Sequence, residues 1–245
     1  MAEGGRLLSG RGLIALRGFE SLPLRHWRRI MNLTIYLITD DAYLEGRDIY
    51  EVIEQALEGG ITAVQYRFKR KSGRQMYEEL LKIREITRRY SADLVVNDRA
   101  DLALAVEADG IHVGKKDIPP HAVRKIVENK LYIGYSVNSL EELQEANRLP
   151  IDYVGFGSVY PTSTKEDYRL VGLSALREAV KLSEKPVVAI GGITPYRVKE
   201  ILKTGCRNIA LCSGILGFEN IKKATQEIKR AYKEALREIA LLGEF

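Results

Sequence analysis

Cysteine is nearly absent from this sequence: 245 residues contain two, Cys206 and Cys212. They lie six apart with no companion histidine spacing. That fits neither a zinc site nor a disulfide framework, and reduced thiols in a cytoplasmic protein are the reading that remains. Long apolar runs are missing too. No stretch reaches the ~18 consecutive apolar residues of a membrane span, and Leu13-Ile14-Ala15-Leu16 is too short for the apolar region of a signal sequence. There is no low-complexity segment and no linker after residue 31. A general basic excess is also lacking, although the formal charge is +5. Residues 1–30 hold six arginines and two glutamates, while the rest of the chain holds 32 basic and 31 acidic side chains. No polyanion-binding surface is implied for the folded part, so neither nucleic acid nor membrane is an expected partner.

What the chain does have is a repeated unit. Short, mostly β-rich apolar runs recur at residues 34–40, 63–69, 93–98, 110–114, 132–137, 153–159, 186–192 and 208–214. Between them lie segments with helical spacing, such as Tyr77, Leu80, Leu81 and Arg84 in the second and Leu173, Leu176, Ala179 and Val180 in the sixth. Strand and helix alternate throughout, so each return is a crossover and the sheet should be parallel. Eight units in about 215 residues read as an α/β protein of one domain, a closed (β/α)8 TIM barrel over residues 32–245, with an open doubly wound sheet as the alternative. Residues 1–31 are expected to be an N-terminal extension, either disordered or upstream of a natural start at Met31. Thr194-Pro195 and Asp117-Ile118-Pro119 offer helix starts. Gly59-Gly60 and Gly205 offer helix ends, and residues 219–239 offer a final amphipathic helix that closes the ring.

In such a barrel the chemistry lies at the carboxyl ends of the strands. Gln65, Arg67 and Lys69 alternate and so share one face of strand two, leaving Val64, Tyr66 and Phe68 on the other. An anion would partner the three polar side chains in the lumen; a salt-bridge network with Asp98 and Asp117 is the structural alternative. Those two carboxylates, on neighbouring units, suit Mg2+ completed by phosphate oxygens and water. Asp117 before Ile118-Pro119 could equally be a helix cap. Gly191-Gly192 and Ser213-Gly214, at the ends of strands seven and eight, match the place where barrels of this kind bind a phosphate, or they are simply tight turns. His112 reads as a packed, hydrogen-bonded core histidine.

The stretches YLITD (36–40), GITAVQYRFK (60–69), VVNDRADLALAVEADGIHVGKKD (95–117), IGYSVNSLEE (133–142), DYVGFGSVYPTSTK (152–165), VVAIGGITP (187–195) and CSGI (212–215) together resemble thiamine-phosphate synthases over residues 32–235. The resemblance implies a Mg2+-dependent transferase. Such an enzyme joins 4-amino-2-methyl-5-hydroxymethylpyrimidine diphosphate to 4-methyl-5-hydroxyethylthiazole phosphate, giving thiamine phosphate and diphosphate. It further implies that Gln65, Tyr66, Arg67, Phe68, Lys69, Asn97, Ser136 and Lys165 form the pyrimidine diphosphate site, with Arg67, Lys69, Ser136 and Lys165 acting in catalysis. Asp98 and Asp117 would be the metal ligands. Thr162, Ser163, Thr164, Gly192, Cys212 and Ser213 would form the thiazole phosphate site. Two positions depart from the family pattern: Phe68 stands for a glutamate and Lys115 for a glutamine. The related thiazole tautomerases share many of these motifs, and a non-catalytic phosphate-binding barrel is the alternative from another class. The expected partners are two small molecules, and a homo-oligomer is left open.

Overall fold

A computed structural model describes residues 31–162, 164 and 168–243. The extension expected over residues 1–31 lies outside them apart from Met31, which packs against the apolar cluster inside the barrel. Strands and helices alternate: β1 (Ile35–Ile38), α1 (Ile49–Gly59), β2 (Ala63–Tyr66), α2 (Gly73–Arg89), β3 (Asp93–Asn97), α3 (Ala100–Ala105), β4 (Gly110–Val113) and α4 (Pro120–Val127) make the first half. The second half is β5 (Tyr132–Val137), α5 (Leu140–Asn147), β6 (Tyr153–Gly157), α6 (Gly172–Leu182), β7 (Val187–Ile190), α7 (Pro195–Leu202), β8 (Asn208–Leu211), α8 (Ser213–Leu216) and α9 (Ile221–Leu241). The eight strands are parallel and close in chain order, β8 pairing with β1. The closed barrel is therefore the architecture, and the open sheet is excluded.

Each strand alternates between two environments. Ile35, Leu37, Val64, Tyr66, Leu94 and Val96 join the core between sheet and helices. Tyr36, Ile38, Ala63, Val95, Tyr153, Val188 and Ala210 fill the lumen. The barrel is thus a packed core, and only its carboxyl-end mouth is open to chemistry. Among the described residues, no helix is long and apolar enough to cross a membrane.

Most helix boundaries follow the sequence. Gly60 ends α1, and the Gly205 N–H closes the turn after α7 on Leu202 O. Helix α9 packs against α1 and α7 and completes the outer layer. Three readings need correction. In α2 the buried face is Met76, Leu80, Ile83 and Thr87, while Tyr77 and Leu81 stand 37% and 41% exposed. The apolar stripe lies one position round the helix from the one expected, so of that set Leu80 alone is fully buried. Helix α4 begins at Pro120 with Pro119 at its N-cap, so Asp117 caps no helix; it accepts the Gly114 N–H at 2.8 Å within its own loop. Thr194 does stand at the N-cap of α7, but its side chain makes no capping bond.

The amino ends of the strands are tied by a repeated device. Asp109, just before β4, accepts the Leu94 N–H at 2.8 Å and pairs with Arg84 at 2.6 Å. Asp152, just before β6, accepts the Ile133 N–H at 2.8 Å and pairs with Arg124 at 2.5 Å. Arg124 also donates to the carbonyls of Pro150, Glu128 and Leu131. Removing one partner of a largely buried pair strands the other charge. Asp152→Ala should therefore cost about 3 kcal/mol of stability in urea denaturation. Activity per folded molecule should be unchanged, because this end of the barrel is opposite the mouth.

Candidate active site

The carboxyl ends of the strands surround a cavity of about 600 Å3. On the β2 side it is lined by Gln65, Arg67 and Lys69. Gln65 is buried and its Nε2 donates to Tyr36 Oη at 2.8 Å. Arg67 is held by the end of β1: its guanidinium pairs with Asp40 at 2.5 Å, and its backbone N–H donates to Thr39 Oγ1 at 2.8 Å. The Lys69 N–H donates to Asp41 Oδ2 at 2.8 Å, so the same strand end fixes both cationic residues. Tyr66 and Phe68, assigned to the site with their neighbours, do not bring their side chains to it. Strand alternation turns both toward the helix layer, where their rings pack at a tilt with centroids 4.7 Å apart and Lys71 Nζ sits 3.8 Å from the Phe68 ring.

Asn97 and Asp98 follow β3 into the mouth. Asp98 adopts φ +62°, a left-handed conformation that is costly for a residue with a side chain and that clusters at functional sites. Its carboxyl meets that of Asp117 from the loop after β4. Burial raises the Asp98 pKa to about 6, the hydrogen bond and negative charge of Asp117 add to the rise, and Lys69 and Arg67 oppose it. Two crowded carboxyls facing two cations make an environment that a divalent cation would relieve. The donor set fits a hard cation that takes two carboxylate oxygens and completes its shell with phosphate and water. Among the described residues no cluster of three or more His, Cys, Asp or Glu side chains could bind a metal without such help. Lys115, one of the two departures, points its ammonium to Glu142 at 3.1 Å, which takes it up at the neighbouring loop without disturbing Asp117.

His112 is buried and hydrogen-bonded, as expected of a core histidine, but it also reaches the cavity. Its Nε2 lies 2.8 Å from Ser136 Oγ and its Nδ1 2.9 Å from Tyr153 Oη. Burial lowers its pKa to about 4 against the opposing charge of Asp117, so the ring is neutral.

Across the mouth lie the turns after β6, β7 and β8. Thr162 and Thr164 line the cavity, the Thr164 N–H donating to Thr162 Oγ1 at 3.3 Å; Ser163 and Lys165 fall outside the described residues. Thr164 also bonds to Cys212, whose thiol is pushed up to about 12, first by burial and then by the charge of Asp40. That rules out a thiolate nucleophile at this position. Gly191 and Gly192 have φ of +102° and +60°. Their carbonyls are occupied, that of Gly191 by the Tyr160 N–H at 3.2 Å and that of Gly192 by Arg197 Nη1 at 2.5 Å. Among the described residues neither glycine's amide has an acceptor within the protein. Ser213 and Gly214 stand beside them.

The cavity thus brings together Gln65, Arg67, Lys69, Asn97, Asp98, Asp117, Ser136, Thr162, Thr164, Gly192, Cys212 and Ser213. Thr39, Lys116, Asn138, Ser158 and Tyr168 line it as well and were not foreseen, nor was Asp40, which anchors Arg67. The signal for Thr39 and Asp40 was in the sequence, since Thr39-Asp40-Asp41 is the carboxyl end of the first strand.

The family model for thiamine monophosphate synthase matches residues 35–215 of the chain. Thiamine-phosphate synthase 1 of Aquifex aeolicus is 67% identical over 214 residues, which are 87% of this chain and all of that one. Thiamine-phosphate synthase of Hydrogenobaculum sp. is 55% identical over 84% of this chain and 96% of its own. Among solved structures, thiamine phosphate pyrophosphorylase from Pyrococcus furiosus superposes with a TM-score of 0.77 at 44% identity, covering 83% of this chain and 97% of that one. With the barrel, the mouth and these matches in agreement, the chain belongs to the thiamine monophosphate synthase family.

Proposed function

We propose that the protein is a cytoplasmic thiamine-phosphate synthase that joins the pyrimidine diphosphate to the thiazole phosphate at this mouth. One observation carries the reading. A single cavity presents two cations and two crowded carboxyls at the ends of β2 to β4, and at the end of β7 two amides that have no acceptor among the described residues. In an eight-strand ring β3 and β7 are four apart and therefore opposite. Two anion sites that face each other suit two phosphorylated substrates whose reacting atoms, the pyrimidine methylene carbon and the thiazole nitrogen, meet between them.

The diphosphate binds on the β2–β4 side against Arg67 and Lys69. Asp98 and Asp117 would hold Mg2+ there, which when bound neutralises diphosphate charge. The bond between the pyrimidine methylene carbon and the diphosphate oxygen breaks, and its electron pair leaves with the diphosphate. The electron-rich aminopyrimidine carries the developing positive charge while Arg67 and Lys69 meet the growing negative one. The thiazole nitrogen lone pair then forms the new carbon–nitrogen bond. Thr162, Thr164 and the Gly191-Gly192 turn hold the thiazole phosphate, and the neutral thiol of Cys212 packs beside it. No side-chain nucleophile is required, so catalysis consists of positioning and electrostatics. Lys165 is assigned to the departing diphosphate from the sequence, and Lys165→Ala is expected to slow the single-turnover chemical step by about 10^2, the usual loss for one such donor. If instead only thiazole phosphate binding weakens, Lys165 belongs to the other site.

The direct test is incubation of the protein with both substrates and Mg2+. Thiamine phosphate and diphosphate should appear in equal amounts, and neither should form when one substrate is left out. Binding without turnover would point to a regulatory barrel, and thiazole isomerisation without coupling would point to a tautomerase. For the metal site, Asp117→Asn should raise the Mg2+ concentration for half-maximal activity at least tenfold. It should also abolish any rise in Tm on adding Mg2+ with diphosphate. Unchanged metal dependence would remove Asp117 from the ligand set.

A further inference from the structure

Below the cavity floor lies a set of buried polar side chains that the reaction above does not use. Tyr36 of β1, Tyr153 of β6 and His112 of β4 meet inside the barrel, all three buried. They form one line. Gln65 Nε2 donates to Tyr36 Oη at 2.8 Å, Tyr36 Oη lies 3.1 Å from Tyr153 Oη, Tyr153 Oη lies 2.9 Å from His112 Nδ1, and His112 Nε2 lies 2.8 Å from Ser136 Oγ. A lumen built only for stability could be filled by phenylalanine and leucine, which bury no hydroxyl and need no partner. Space is also reserved for these rings. A Cβ on Gly134 would fall 2.1 Å from Tyr153 Cζ, and one on Gly155 would fall 3.3 Å from His112 Cε1.

Proton counting gives the line a direction. A phenol has one proton to donate. Tyr36 accepts from Gln65 and gives its own proton to Tyr153; Tyr153 accepts it and gives its own to His112 Nδ1. A phenol keeps its proton at neutral pH, and an imidazole that accepts at Nδ1 carries its proton on Nε2, 2.8 Å from Ser136 Oγ, and donates it there. The hydroxyl proton of Ser136 is then the one left over, and Ser136 lines the cavity.

We propose that Tyr36, Tyr153 and His112 are positioning residues: the line fixes His112 as the Nε2–H tautomer and makes Ser136 a hydrogen-bond donor to an acceptor atom of the bound pyrimidine diphosphate. The identity of that ligand rests on the function proposed above, whereas the tautomer does not. The consequence is a division of labour at the mouth, with cations taking the charge and an oriented neutral donor fixing the substrate's pose.

The test reads the tautomer and the rate separately. In protein labelled with 15N-histidine at neutral pH, the His112 resonances should show a protonated Nε2 and a bare Nδ1, with His112→Gln supplying the assignment. Tyr153→Phe should remove the donor to Nδ1, give a mixture of tautomers, and lower kcat by about tenfold, the effect of one hydrogen bond. The KM for thiazole phosphate should stay as it was. His112→Gln can place an amide N–H near the position of Nε2–H and should retain at least tenfold more activity than the similarly sized His112→Met, which cannot donate. A wild-type ring protonated at Nδ1 would overturn the inference, as would Tyr153→Phe with wild-type tautomer and rate, or equal activity of His112→Gln and His112→Met. The tautomer is measured without substrates, so it stands or falls independently of the synthase reading. Synthase activity with the Nδ1–H tautomer would sink this inference alone.

Discussion

Arg67→Ala should lower kcat/KM for the pyrimidine diphosphate by about 10^3, the upper end of the loss expected for a neutral donor. Guanidinium has five N–H donors in a rigid fork, and Asp40 engages it at 2.5 Å on one side, so donors on its other edges can meet phosphate oxygens. Removal of a single preorganised donor at a developing anion costs about 10^2 to 10^3. Here the loss is compounded, because Asp40 has a side chain only 13% exposed and would be left as an unpaired negative charge beside the diphosphate. Arg67→Lys should recover part of the activity, since a point charge replaces the fork. Arg67→Ala combined with Asp40→Asn should be more active than Arg67→Ala alone. Steady-state kinetics with the thiazole phosphate saturating would decide this, and a loss below tenfold would show that the diphosphate does not lie against β2.

Gly191→Ala is expected to be as severe on the other side of the mouth. At φ +102° the backbone is in a region that alanine rarely adopts, and an added Cβ would fall 1.9 Å from Ser158 Oγ and 2.7 Å from Ser158 Cα. A contact with backbone cannot be relieved by turning a side chain, so the turn itself must move. The cost should be about 2–4 kcal/mol of stability. Because the displaced turn carries the Gly191 and Gly192 amides, which have no acceptor among the described residues, thiazole phosphate affinity should fall by about 10^2 or more, the effect of losing two hydrogen bonds to a charged group. Equilibrium binding of thiazole phosphate to folded variant protein measures this, and unchanged affinity would move the phosphate away from the β7 turn.

The parts of this account that depend on local pattern were legible in the sequence. Eight apolar runs gave eight strands in the right places; β5 keeps the expected bounds, and the other seven are trimmed at the carboxyl end, as where Thr39-Asp40, Arg67-Phe68-Lys69 or Gly191-Gly192 leaves the ladder for the mouth. Alternation along 63–69 put Gln65 and Arg67 in the lumen and Tyr66 and Phe68 behind it, so the departure at Phe68 falls in the core between sheet and helices. The face of α2 was harder to read, because Tyr77 and Leu81 carry large apolar surface beside Met76 and Ile83, and the spacing fits either of two adjacent stripes. Asp117 preceded an early proline, a cap signal that a loop N–H, that of Gly114, had already claimed. What no local pattern carries is the meeting of Tyr36, Tyr153 and His112. Tyr36 and Tyr153 are 117 residues apart, and their contact depends on ring closure and on the stagger of strands that do not pair with each other.

Two anion sites that face each other in one cavity should fill independently. Titration calorimetry tests it most directly: inorganic diphosphate with Mg2+ is added to the protein already saturated with thiazole phosphate. One equivalent of diphosphate should still bind per chain, with an affinity within a few fold of that without thiazole phosphate. Mutual exclusion of the two ligands would mean that the mouth holds a single anion site, and would contradict it.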